Sequence, residues 1–257
     1  MIDDLQLKPP CQTIKFVDDT TIFEIVDKKS WSSTIGAGIQ EVLKWTTTNN
    51  MQLNPTKTKE LLIDFSKKRT PDVQPIIIDS TVVKNFPFVK LLGVTISSDL
   101  KWNLHVDNIV KKASKRIFSL IVLKRSGGSC KDLLQVYKTQ IRPVLEYACQ
   151  CWHPGLTRGL SDMIESVQRR ALRIAYPDCS YREALHKCGI DTLQCRRSDL
   201  CQKYFNKIQL LDHKLNCLLP DTRAVKYNLR ENVQFSVPRL RTVRGEHSFI
   251  NWCVLNK

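Results

Sequence analysis

Nowhere in this chain of 257 residues does an apolar run approach the roughly 20 residues a membrane-spanning helix needs, so no transmembrane helix and no membrane partner are expected. The opening Met1-Ile2-Asp3-Asp4-Leu5 lacks the basic-then-apolar order of a secretory signal. Paired C-x₂₋₄-C spacing is missing as well, although there are ten cysteines. Without a signal or a short-loop disulfide framework, free thiols in a reducing, intracellular compartment are expected, nucleus or cytoplasm being left open. Two cysteine groupings, Cys149/Cys151 and His186-Lys187-Cys188 with Cys195 and Cys201, read as half-buried helix cysteines rather than a zinc site. No internal repeat and no low-complexity tract is present.

What the chain does contain is unevenly distributed charge. With 42% hydrophobic and 25% charged residues the composition is that of a folded globular protein. Residues 1–100 carry 12 basic and 12 acidic side chains, whereas residues 101–257 carry 28 and 13, so the entire surplus of +15 lies in the second part. A cationic second half suits an acidic polymer, most simply nucleic acid; a generically solvated basic surface has the same composition.

The stretch TIKFVDDTTIFEIV, Thr13 to Val26, puts two β-rich runs around adjacent carboxylates, Asp18 and Asp19, and reads as a hairpin. Ser32/Ser33 then offer a cap for an amphipathic helix built on Ile35, Ile39, Val42, Leu43 and Trp45, weakened by Gly36 and Gly38 and ended before Pro55. Short β-like runs follow at Leu61–Phe65, Pro75–Asp79 and Phe88–Ile96. From Trp102 the period becomes helical. Val106, Ile109, Val110, Ala113, Ile117, Leu120 and Ile121 share one face; Lys111, Lys112, Lys115 and Arg116 share the other. Gly127-Gly128 should stop that helix. Further helices are expected over Lys131–Arg142, Val144–His153 and Ser161–Ala175, punctuated by Pro143 and Pro154. In the last of these, Met163, Ile164, Val167, Ala171 and Ile174 face inward, with Arg169, Arg170 and Arg173 outward. Tyr181–Lys187 and Leu193–Leu211 read as helical, and the last forty residues as irregular. The fold class is therefore α+β, an antiparallel β-rich unit with a packed helix followed by a basic helical unit, with divisions at 1–100, 101–176 and 177–257.

Aspartate pairs at a hairpin tip have two readings. Asp bonds nearby backbone amides and is common in turns. Two carboxylates crowded on a rigid tip also suit two-metal phosphoryl transfer, since Mg²⁺ takes hard oxygen ligands and offsets their repulsion. Context favours the second. The order Phe16-Val17-Asp18-Asp19, then MQLNPTKTKELLIDF, FPFVKLLGVTI and SSDLKWNLHVDNIVKKASKRI resembles the reverse transcriptase of non-LTR (LINE-type, jockey-like) retrotransposons. IRPVLEYACQCWHPGL, IESVQRRALRIAYP and LQCRRSDLC resemble the segments that follow the polymerase core in that family, so the likeness covers about residues 1–215.

The resemblance implies a partial polymerase palm over residues 1–100, a helical thumb-like region over 101–176 and a C-terminal extension over 177–257. Asp18 would be the principal metal ligand and Asp19 its acidic neighbour, with Phe16 in place of the commoner tyrosine. Lys57, with Asn54, matches a palm motif whose lysine steadies the departing pyrophosphate; a solvated loop lysine is the alternative. Leu92 and Gly93 match the primer-grip turn, where glycine lets backbone approach the primer end; a tight strand bend needs the same glycine. Lys111, Lys112, Lys115, Arg116, Arg169, Arg170 and Arg173 would track phosphates of an RNA template and DNA primer, and Trp102 and His105 would touch the primer–template or, as apolar bodies favour, pack the joint between palm and thumb. Lys111-Lys112 and Arg169-Arg170 are read as helix faces rather than nuclear import signals.

The implied cofactor is Mg²⁺, or Mn²⁺ in its place, and the implied nucleotide substrate a dNTP. In this family the partner aspartate, the fingers and the nucleotide-pocket segment precede the hairpin, whereas only seventeen residues precede Asp18 here. Asp3 and Asp4 read as an acidic fray and poor substitutes. The chain is therefore expected to be an N-terminally truncated fragment, weak in metal binding, inert alone and poorly soluble, its oligomeric state open. A non-catalytic nucleic-acid-binding module and a decayed reading frame are the alternatives.

Overall fold

The computed structural model describes residues 4–26, 33–65, 74–222, 235–236 and 239–256. Cα packing divides the chain into two compact units, residues 1–100 and 101–257.

Among its described residues the first unit is built of hairpins and one helix. Strands β1 (Gln12–Phe16) and β2 (Asp19–Phe23), β3 (Ile77–Ile78) and β4 (Thr81–Val82), and β5 (Phe88–Leu91) and β6 (Val94–Ser97) form three separate two-stranded antiparallel sheets among the described residues. Each closes through a two-residue loop, Val17-Asp18, Asp79-Ser80 and Leu92-Gly93. The second and third loops have positive φ at both positions, as in a type I′ turn, whose twist matches that of the flanking strands. The run at 61–65 forms no strand; the segment keeps only an isolated bridge from Glu60 to Asn85. Of the run at Pro75–Asp79 only two residues pair.

Helix α1 (Ile35–Thr48) supplies the core of this unit, where Ile39 meets Ile76, Ile78 and Val83, with Ile22, Ile35, Leu43 and Leu53 packed around them. Its N-cap is Thr34, whose side chain makes no capping bond. Glu24 substitutes for it, accepting from Thr34 N at 2.9 Å and Thr34 Oγ1 at 2.8 Å. Burial would raise the Glu24 carboxyl, but these bonds and one from Ser33 hold it below its ordinary value. Ser32 lies outside the described residues. Gly38 has a packing reason: a Cβ there would sit 3.0 Å from Cys11 Sγ.

The second unit is helical: α2 (Asn103–Arg125), α3 (Cys130–Val136), a π-helical turn (Tyr137–Ile141), α4 (Arg142–Glu146), α5 (Cys149–Trp152), α6 (Arg158–Ala175), α7 (Tyr181–Cys188), α8 (Leu193–Ile208), α9 (Val243–Glu246) and α10 (Phe249–Leu255). Gly127 (φ 82°) ends α2 and Gly189 (φ 59°) ends α7, both in the left-handed region that favours glycine. Pro143 does not break its helix as its residue type suggests. It lacks an N–H and crowds the carbonyl four residues back, and the π-turn just before it widens the backbone there. The break comes instead at Ala148, with φ 50°. Two further expectations are corrected. Met163 faces solvent, and the C-terminal region is not wholly irregular, because α10 buries Cys253 beside Cys201.

A polar spine runs through this core. Tyr137 Oη donates to Gln168 Oε1; Gln168 Nε2 donates to Tyr181 Oη at 2.9 Å and to the Asp191 carbonyl at 3.0 Å. Tyr181 Oη and the Leu193 amide both donate to Glu165 Oε1. Burial drives both phenols well above their usual range, so they remain neutral donors. Among the described residues no helix is long and apolar enough to cross a membrane.

Candidate functional site

The register pairs Phe16 with Asp19, which leaves Val17 and Asp18 as the loop. Asp19 therefore begins β2 and Asp18 sits at the bend. Both carboxylates are solvent-exposed. Val17 takes φ 56°, a costly conformation for a β-branched residue, and is itself 79% exposed. Strain of this kind next to two acids is typical of sites where backbone geometry serves a ligand.

Asp18 and Thr20 line a cavity of about 350 Å³ together with Leu5, with Val42, Trp45 and Thr46 of α1, and with the residues 51–53 that follow it. Asp4 also meets this helix, accepting from Trp45 Nε1 at 3.2 Å, whereas Asp3 lies outside the described residues. Two exposed carboxylates on a rigid tip match the hard-oxygen preference of Mg²⁺ in kind. Among the described residues, no third histidine, cysteine or carboxylate completes a metal-binding group.

Asn54 acts locally. Its Oδ1 accepts from Thr56 N at 3.1 Å and Lys57 N at 3.2 Å, and its carbonyl accepts from Thr58 N at 3.1 Å, which folds residues 54–58 into a tight turn. Lys57 is exposed on that turn, and its ammonium has no ion-pair partner among the described residues. Gly93, at φ 88°, follows Leu92 at φ 45°. The type I′ bend accounts for this glycine by backbone geometry alone.

The cationic side chains occupy two helices. Lys111, Lys112, Lys115 and Arg116 of α2 and Arg169, Arg170 and Arg173 of α6 are all exposed. The helices pack together, and Arg170 Nη1 reaches Ser114 Oγ at 3.5 Å, which brings the edges of the two basic faces into contact. Arg116 donates to the Gln140 carbonyl, and Arg169 lies 5.2 Å over the Tyr181 ring. Arg169 and Arg173 also edge a cavity of about 100 Å³ with Ser180 and Cys179. Trp102 packs within this unit against Gly155, where a Cβ would come 2.5 Å from its Nε1, and its ring is edge-on to buried His105.

Sequence reasoning missed Arg197, which is fully buried on α8 among Trp152, His153 and Ser161. Its predecessor Arg196 pairs with Glu146. The available signal was that Arg197, unlike Arg196, falls on the i, i+4 line of Leu193, Cys201 and Phe205 that faces the core.

No protein-family model matches the chain, and no solved structure matches it. Three curated proteins of Drosophila melanogaster are similar to it. The RNA-directed DNA polymerase from mobile element jockey is 21% identical over 233 residues, 87% of this chain and 25% of that protein. The probable RNA-directed DNA polymerase from transposon X-element is 25% identical over 133 residues, 51% of this chain and 14% of that protein. The probable RNA-directed DNA polymerase from transposon BS is 25% identical over 151 residues, 56% of this chain and 16% of that protein. The matches thus span a quarter or less of these relatives. Distant as it is, the similarity supports a reverse-transcriptase-like family for this chain.

Proposed function

We propose that this chain belongs to a non-LTR, jockey-like retrotransposon polymerase and carries its catalytic turn: palm over residues 1–100, thumb over 101–176, and an extension beyond. The observation that carries this is the exposed Asp18–Asp19 pair on a strained two-residue bend, in a chain similar over 87% of its length to the jockey polymerase. Asp18 and Asp19 would hold Mg²⁺ or Mn²⁺, which supplies Lewis-acid stabilisation of phosphoryl oxygens in nucleotide joining. Lys57 would face the departing pyrophosphate. Leu92 and Gly93 would meet the primer end, and the exposed cations of α2 and α6 the template–primer phosphates.

Two carboxylates bind a divalent ion weakly, so this chain alone joins no nucleotides. Mn²⁺ titration followed by electron paramagnetic resonance tests the metal site, and primer extension with dNTPs tests the activity. Weak Mn²⁺ binding that Asp18→Asn removes, without extension, is the expected result. Binding unchanged by that substitution overturns the metal assignment, and extension abolished by Asp18→Ala overturns the inert state.

A second reading is a nucleic-acid-binding module without catalysis. The charge surplus in residues 101–257 favours it. Steeply salt-dependent binding to an RNA–DNA hybrid, unaltered in Asp18→Ala, together with absent Mn²⁺ binding, would select it.

A further inference from the structure

Opposite its buried face, helix α2 carries an outward stripe that includes two of its lysines. At 100° per residue, Leu104, Lys111, Lys115, Phe118, Val122 and Arg125 fall within a stripe roughly 80° wide along the helix. All six are exposed, and Phe118 is 66% exposed, a large aromatic ring standing in water. Isolated surface apolar residues need no explanation. Here Phe118 and Val122 form an apolar pair set between Lys111 and Lys115 on one side and Arg125 on the other, with Leu104 beyond the lysines. The only carboxylate of the helix, Asp107, falls on the same stripe, a turn before Lys111 and about three turns from Phe118.

An aromatic ring flanked by cations selects among ligands. A partner helix would call for a continuous apolar seam, and a fully stacked duplex, offering phosphates outward, would leave the Phe118 ring without a partner. A single strand offers both: phosphates for Lys111, Lys115 and Arg125, and an unstacked base whose face matches an aromatic ring. Phe118 lies seven residues from both Lys111 and Arg125, about 10.5 Å along the axis each way, so cations flank the ring on both sides.

We infer that this stripe binds single-stranded nucleic acid, with Phe118 stacking on one unpaired base. The inference rests on the nucleic-acid reading above and narrows it to a strand with exposed bases.

Binding of the full chain to a labelled single-stranded RNA and to a blunt RNA–DNA hybrid, across a salt series, tests it. Phe118→Ala should weaken the single strand about tenfold and leave the hybrid nearly unchanged, and Phe118→Trp should restore it. Quenching of a 2-aminopurine base in the strand should be lost in Phe118→Ala. Lys111→Ala should reduce the salt slope by about 0.7 without abolishing the quench. Salt-dependent binding that Phe118→Ala does not alter, or weakens equally for both polymers, overturns this inference and leaves the nucleic-acid reading standing. Failure to bind either polymer overturns both.

Discussion

Inside the second unit, Arg197 Nε donates to His153 Nδ1 at 3.4 Å, with both side chains buried. A guanidinium has no acceptor to offer, so the imidazole must present a bare nitrogen and keep its proton on Nε2. Burial first, and then the Arg197 charge, pull His153 down to about 4. Arg197 Nη2 donates to Ser161 Oγ at 3.0 Å and the guanidinium lies 5.7 Å from the Trp152 ring, while buried Nη1 has no hydrogen-bond partner among the described residues.

A pH dependence follows from that histidine. Its ordinary value is 6.5, so between pH 6.5 and about 4 the unfolded chain takes up a proton that the folded chain refuses. Stability is full above pH 6.5 and falls as the pH drops through this window, by on the order of 3 kcal/mol at its lower end. Buried His105, also lowered, acts in the same direction. Urea unfolding of His153→Gln, which keeps an acceptor for Arg197 but does not titrate, should show a shallower loss on acidification. An identical pH profile in the variant would refute the assignment.

Removing the guanidinium should be expensive. Arg197→Ala leaves a large void and strips Ser161 and His153 of their donor, at a cost of about 3–5 kcal/mol in chemical denaturation. Arg197→Met, which refills the volume, should cost clearly less, about 2 kcal/mol. Equal losses in the two variants would mean that packing volume is irrelevant at this position and that the charge alone matters.

At the hairpin tip, strain can be relieved. Val17 holds φ 56° while largely exposed, so no contact of its side chain repays the conformation. Asparagine tolerates this region far better. Val17→Asn should stabilise the hairpin by about 0.5–1 kcal/mol, read as amide exchange slowed about two- to fivefold across β1 and β2. Faster exchange would show that the valine side chain contributes something the exposure does not reveal.

Local patterns made much of this protein legible. The hairpin around Asp18 and Asp19, the glycine stop after α2, and the inward faces of α2 and, Met163 apart, of α6 all depend on neighbours within a few residues, where backbone sterics and hydrophobic period act directly. So did the outward placement of Arg169, Arg170 and Arg173. The ordered motifs likewise pointed to polymerases before any geometry was known, and the similarity to three transposon polymerases supports that family at the coarse level.

Other features required the chain to be folded. Whether 61–65 pairs as a strand depends on a partner distant in sequence, and among the described residues none pairs along it. Pro143 stays within a helical stretch because the turn before it widens, a backbone adjustment that residue type does not encode. Arg197 is buried because Trp152, His153 and Ser161 converge on it from other segments of the chain, and only that convergence lets a charge remain in the interior. Sequence thus determined which residues can turn, cap and carry charge. Tertiary structure decided which of them are desolvated, because burial depends on surfaces that meet only after the backbone has closed over them.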